Sequence, residues 1–123
     1  MSLFLKENAE YFKKKAKEAY EEKRFKFVLF FVEQSIQLYL KYILYKNLGE
    51  YPKTHKLKEI IEDASLISKD FLNFYNKFAD IFDLVEESSI TARYLDKEYS
   101  EASAKKVLKL LSEFKKHFEK WLV

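Results

Sequence analysis

Apolar residues recur along the chain every three or four positions, the period of a helix rather than of a strand. Residues 25–48 depart from an ordinary surface helix because they are apolar on too many sides. One row through them is Val28, Val32, Ser35, Tyr39 and Ile43, and a second is Phe27, Phe30, Phe31, Leu38 and Tyr45. Two such rows predict a helix covered on two faces. Gln34, Gln37 and Lys41 sit in that surround at i, i+3 and i+7 and form a single polar strip. Polar groups in apolar surroundings need partners, and what supplies them is the functional question.

The same periodicity predicts the remaining elements. A helix over residues 3–22 turns Leu5, Ala9, Phe12, Ala16 and Tyr20 inward, its alanines allowing close approach. Its lysine- and glutamate-rich side is a solvated face. The second helix ends at Gly49, a residue suited to the left-handed position beyond a helix end. Pro52 marks a loop, and Thr54 is the expected N-cap of a short helix from His55 to about Ala64. Ser68 or Asp70 opens a helix to about Val85 that buries Phe71, Phe74, Tyr75, Phe78, Ile81 and Phe82. Ser100 caps the last helix, which aligns Val107, Leu111, Phe114, Phe118 and Trp121. Residues 86–99 are the least regular, with room for one more helical turn before Arg93. The expected architecture is all-α: an antiparallel up-and-down bundle of four main helices with a short extra helix after the second.

Composition agrees with this picture. The 123 residues suit one domain spanning the chain, and the single glycine and single proline lie three positions apart, leaving no other strong chain breaker. The 12 phenylalanines and 9 tyrosines favour strands by type, but their helical spacing overrides that preference. No apolar run is expected to reach the roughly 20 residues of a membrane span, and the start turns charged at once, unlike a signal peptide. With no cysteine there is neither a disulfide framework nor thiol chemistry. A soluble, cytoplasmic protein without membrane association is expected. Abundant lysine and glutamate with little Gln, Met and Cys is the bias reported for hyperthermophiles.

Charge narrows function only slightly. A net charge of +3, from 23 basic and 20 acidic residues, describes a mixed surface rather than a dense polyanion-binding patch. The basic residues are nearly all lysine; the arginines are Arg24 and Arg93. Two histidines far apart in sequence argue against a histidine- or thiolate-based metal site, and no metal or other cofactor is expected. One glycine rules out a glycine-rich phosphate loop, and Ser88 and Ser89 have no convincing base nearby.

The order of three short motifs resembles a known family. The segment Glu33-Gln34-Ser35-Ile36-Gln37-Leu38-Tyr39-Leu40-Lys41-Tyr42 is similar to the second-helix signature of HEPN domains (higher eukaryotes and prokaryotes nucleotide-binding). Tyr51-Pro52-Lys53-Thr54-His55-Lys56-Leu57 resembles the Pro-x-Thr-His-x-Leu element that follows that helix. Ala92-Arg93-Tyr94-Leu95 resembles the Ala-Arg-Tyr-Pro element before the last helix, and Tyr99 suits the tyrosine that often follows. Gln37 stands where the family usually has an acidic residue, and Leu95 where it has proline.

The resemblance implies a small helical bundle that usually dimerises and often works beside a minimal nucleotidyltransferase, as in toxin–antitoxin-like two-component systems. Some HEPN proteins are metal-independent ribonucleases using Arg-x(4–6)-His; here no histidine follows Arg93 at that distance. A proton transfer near neutrality needs such an imidazole, so the nuclease signature is incomplete and no catalytic residue is assigned.

The expectation is therefore a non-catalytic homodimer binding a nucleotide, RNA or a nucleotidyltransferase partner. Arg93 and Lys41 would supply positive charge for phosphate; Gln34, Gln37 and His55 would bond the ligand or each other; Tyr94 or Tyr99 could stack on a base. Each residue has a plainer reading. The polar strip could bond a neighbouring helix or line a dimer seam, His55 could orient its loop, and Arg93 could pair an acid across the bundle. His117 reads as a half-buried packing residue. The alternatives are a ribonuclease using Arg93 with a non-standard acid or base, and a purely structural antitoxin-like scaffold.

Overall fold

The structure is a computed structural model that describes the backbone of residues 2–94 and 97–123 and the side chains of residues 3–88 and 97–123. The described chain is helical, with no strand among the described residues: α1 (Ser2–Glu21), α2 (Phe25–Leu48), α3 (Leu57–Ala64), α4 (Asp70–Lys77), α5 (Ala79–Tyr94), α6 (Glu101–His117) and a closing 3-10 turn, Glu119–Trp121. The all-α expectation holds. Helix α2 is the central post, with α1, α3, α5 and α6 packed around it.

The α1–α2 hairpin shows how small residues set helix distance. Ala9, Ala16 and Ala19 are buried, and Ser35 of α2 donates to the Ala9 carbonyl at 2.8 Å. That bond satisfies a buried hydroxyl and requires the backbones to be close. The row was expected to run through Phe12 and Tyr20; both are half-buried, and Ala19 takes the inner place. Between the helices, Lys23 adopts φ 60. Its N–H bonds to Tyr20 O and that of Arg24 to Ala19 O, the paired bonds of a Schellman ending. Gly49 closes α2 with φ 78 and an N–H bond to Tyr45 O, as the sequence predicted.

Three expected boundaries are corrected. Thr54 does not cap α3; its Oγ1 accepts from the Lys56 N–H at 3.1 Å, and the helix begins at Leu57 with Lys56 as cap. The helix expected from Asp70 to Val85 breaks at Phe78 (φ -111, ψ 29) into α4 and α5. The break lets Phe74 and Phe82 both turn inward while Phe78 and Ile81 stay half-buried. Helix α5 then runs through the segment that looked irregular, ending at Tyr94. Ser100 caps α6 as expected, its Oγ accepting from the Ser103 N–H at 3.1 Å.

The two apolar rows of α2 have different fates. Val28, Val32, Ser35, Tyr39 and Ile43 are wholly enclosed. The second row is not covered: Phe27 is 39% exposed, and Phe30, Phe31, Leu38 and Tyr45 are half-buried. By length and composition α2 could also cross a membrane, contrary to the sequence expectation, but most of it is buried inside the bundle. Its apolar character is that of a core helix.

Candidate functional site

The polar strip of α2 is organised around one amide. Glu33, Gln37 and Lys41 follow each other at i, i+4 and i+8, so their side chains stack along one face. Gln37 Nε2 donates to Glu33 Oε1 at 2.8 Å, and Gln37 Oε1 accepts from Lys41 Nζ at 3.1 Å. His55, carried by the loop at residues 50–56, places Nδ1 2.9 Å from the same Oε1. Its carbonyl lies 3.5 Å from Gln37 Nε2, so one side chain holds both ring and backbone of His55. Gln34 sits at the edge, donating to the Glu33 carboxylate at 3.3 and 3.4 Å.

Glu33, Gln37 and Lys41 are all buried, at 1, 2 and 5% exposure. Lys41 has Gln37 Oε1 as its only hydrogen-bond partner and no ion-pair partner among the described residues. Its ammonium faces the Tyr51 ring at 5.8 Å, a favourable but weak contact. Burial pushes the Lys41 pKa down, and the negative charge of Glu33 opposes that shift. A buried cation with one neutral acceptor is poorly compensated, and an anion at that point would complete it.

The structure thus brings together Gln34, Gln37, Lys41 and His55 of the residues singled out from the sequence. Arg93 and Tyr94 form the end of α5, a helix that packs on α2, and their side chains lie outside the described residues. Tyr99 stands just before α6 with its ring buried, and its hydroxyl has no partner among the described residues. Stacking on a base would require that ring to leave its pocket.

Two members were not assigned roles from sequence: Glu33, which anchors the amide, and Tyr51, which faces the ammonium. The i, i+4 spacing of Glu33, Gln37 and Lys41 was the available signal. His117 is a correction: it is exposed, with Nε2 2.9 Å from Asp70 Oδ2, though its ring also contacts Phe74 and Phe118. No cluster among the described residues could hold a metal ion.

A helical bundle with a buried Glu–Gln–Lys ladder on its central helix, and a histidine brought to it by the following loop, defines a small α-helical domain with a polar, cation-bearing site. Residues 2–121 match the family model described as HEPN domain, nearly the whole chain, and the protein belongs to the HEPN family. No curated protein and no solved structure matches it.

Proposed function

We propose that this HEPN domain binds the phosphate of a nucleotide or RNA at Lys41, without catalysing its cleavage. The observation that carries this reading is the buried Lys41 ammonium, which has a neutral amide and an aromatic face but no ion-paired carboxylate among the described residues. A phosphate oxygen would replace the water that burial removes, and the charge-assisted bond is of the strong kind. Gln37 positions the cation and His55, and Gln34 bonds the Glu33 carboxylate that anchors Gln37. Arg93 is the second phosphate-binding cation, contributed from the end of α5.

The domain acts as a cytoplasmic homodimer beside a minimal nucleotidyltransferase. The uncovered row of α2 supports dimerisation: Phe27, Phe31, Leu38 and Tyr45 form one stripe, widened by Phe12, which stacks on Phe31 at 5.9 Å. Partly exposed apolar side chains gathered on one helix face commonly mark an interface. A single-mass monomer by light scattering at micromolar concentration would exclude the dimer.

The binding reading is tested with labelled mixed-sequence RNA in EDTA. The native protein should retain the RNA intact, and Lys41→Met should lose binding at least tenfold while staying folded. Unchanged binding by Lys41→Met would refute the assignment of the phosphate site. RNA cleavage that disappears in Arg93→Ala would instead make the protein a metal-independent ribonuclease.

A further inference from the structure

The hydrogen bonds around Gln37 fix more than a position. Lys41 can only donate, so the Gln37 atom facing it must be the amide oxygen. That oxygen is then an acceptor for His55 as well, and the ring nitrogen 2.9 Å away, Nδ1, must carry the hydrogen. In the neutral ring Nε2 is left as a bare acceptor. The ring is exposed, and Nε2 has no protein partner among the described residues.

We infer that Glu33, Gln37 and Lys41 lock His55 in its Nδ1–H tautomer so that Nε2 recognises a hydrogen-bond donor of the ligand, the ribose 2′-hydroxyl. The inference rests on the phosphate site at Lys41. Lys41 Nζ and His55 Nδ1 bond to the same amide oxygen, at 3.1 and 2.9 Å, so the ammonium and the imidazole are within reach of one nucleotide. In a nucleotide chain the hydroxyl donor nearest the phosphate is on the ribose, whereas base amino groups lie farther away. The 2′-hydroxyl is also the group that distinguishes RNA from DNA at a given site. A neutral amide orients the ring and fixes which nitrogen carries the hydrogen, as a carboxylate would, without placing a negative charge beside it.

The second histidine supplies an internal reference. His117 places Nε2, not Nδ1, against the Asp70 carboxylate, so its hydrogen belongs on Nε2. Long-range proton–nitrogen correlation on protein labelled at histidine, at alkaline pH, reads both tautomers. His55 should report Nδ1–H and His117 Nε2–H, with His55→Asn assigning the signals. Gln37→Leu should release the His55 preference. An Nε2–H ring at His55 in the native protein would overturn the inference whatever the ligand result.

The ligand half is read from a mixed-sequence single-stranded RNA and DNA of the same sequence. A single ordinary hydrogen bond corresponds to about a tenfold preference for RNA. His55→Phe should bring the RNA-to-DNA affinity ratio to one, and that ratio is the readout. Equal binding of RNA and DNA by the native protein, with the tautomer as expected, would overturn the hydroxyl assignment alone. Binding of neither strand would remove the phosphate site and the hydroxyl assignment with it.

Discussion

The Lys41 ammonium donates to Gln37 Oε1 at 3.1 Å and has no other hydrogen-bond acceptor among the described residues. Burial lowers its pKa, which means the folded protein holds that proton less tightly than the unfolded chain does. Such a group costs stability at neutral pH, and the cost shrinks as pH rises through the depressed value. Lys41→Met should therefore be as stable as the native protein or more so, by up to about 2 kcal/mol, while losing RNA binding. Thermal melts at neutral pH beside the RNA titration check this, and a destabilised variant would show that the ammonium is well compensated.

Tyr39 makes the converse case, a buried polar group fully provided for. Its hydroxyl donates to Glu10 Oε2 at 2.6 Å, and Lys115 Nζ holds the same carboxylate at 2.9 and 3.0 Å. Burial alone would raise the Glu10 pKa, but the Tyr39 and Lys115 hydrogen bonds bring it below the ordinary value of 4.5. A depressed carboxyl contributes stability above its unfolded value that is lost as pH falls through the folded one. Tyr39→Phe should cost about 1–2 kcal/mol at neutral pH, with the penalty shrinking as pH falls below 4.5. Urea melts of both proteins at neutral and acidic pH measure it.

What the sequence made legible followed from periodicity and capping. Helix α2, its end at Gly49 and the Ser100 cap were all readable, because each depends on local chemistry. The break at Phe78 was not, since no glycine or proline marks it; it serves the packing of Phe74 and Phe82, which is tertiary. Gln37, Lys41 and His55 were readable as candidates, but their shared oxygen was not. That needs the loop at residues 50–56 to fold back on α2, a contact across 18 positions. Glu33 went unassigned because its i, i+4 spacing to Gln37 shows a shared face but not that the carboxylate is buried.

The two left-handed helix ends differ in residue type and should respond oppositely to substitution. Lys23 bears a side chain at φ 60, where glycine is favoured, so Lys23→Gly should stabilise by about 0.5–1 kcal/mol. Gly49 has open space around the position a Cβ would take, so Gly49→Ala suffers only the backbone strain of φ +78. A loss of about 1 kcal/mol is expected there. Chemical denaturation of the two variants decides both signs.

Phe71 and Phe118 stack with ring centroids 4.5 Å apart, both nearly inaccessible, and Phe74 and Phe114 close the cluster that joins α4 to α6. Its members hold each other, so none is free to refill a vacated volume. Phe118→Ala should cost about 3–5 kcal/mol, and Phe118→Leu less than half as much. Equal losses in the two variants would mean that ring stacking, not volume, is what matters.

Glu86 of α5 caps a helix it does not belong to. Its Oε1 accepts from the Lys58 N–H at 3.1 Å, one of the first-turn donors of α3 that has no partner within that helix, and from the Tyr75 hydroxyl at 3.4 Å. Burial raises the Glu86 pKa against the lowering effect of these bonds. The Tyr75 phenol is pushed up to about 12, first by burial and then by the Glu86 charge. A carboxyl raised in the folded state stabilises below its unfolded value and loses that contribution as pH rises through the folded one. Glu86→Gln keeps the acceptor and removes the charge, so it should match or exceed native stability at neutral pH. Glu86→Ala removes the cap and should cost about 1 kcal/mol. Spectrophotometric titration of the phenols adds an independent reading: in Glu86→Gln the Tyr75 value should fall from about 12. No movement would mean that burial and the Asp83 and Glu62 charges set it without Glu86.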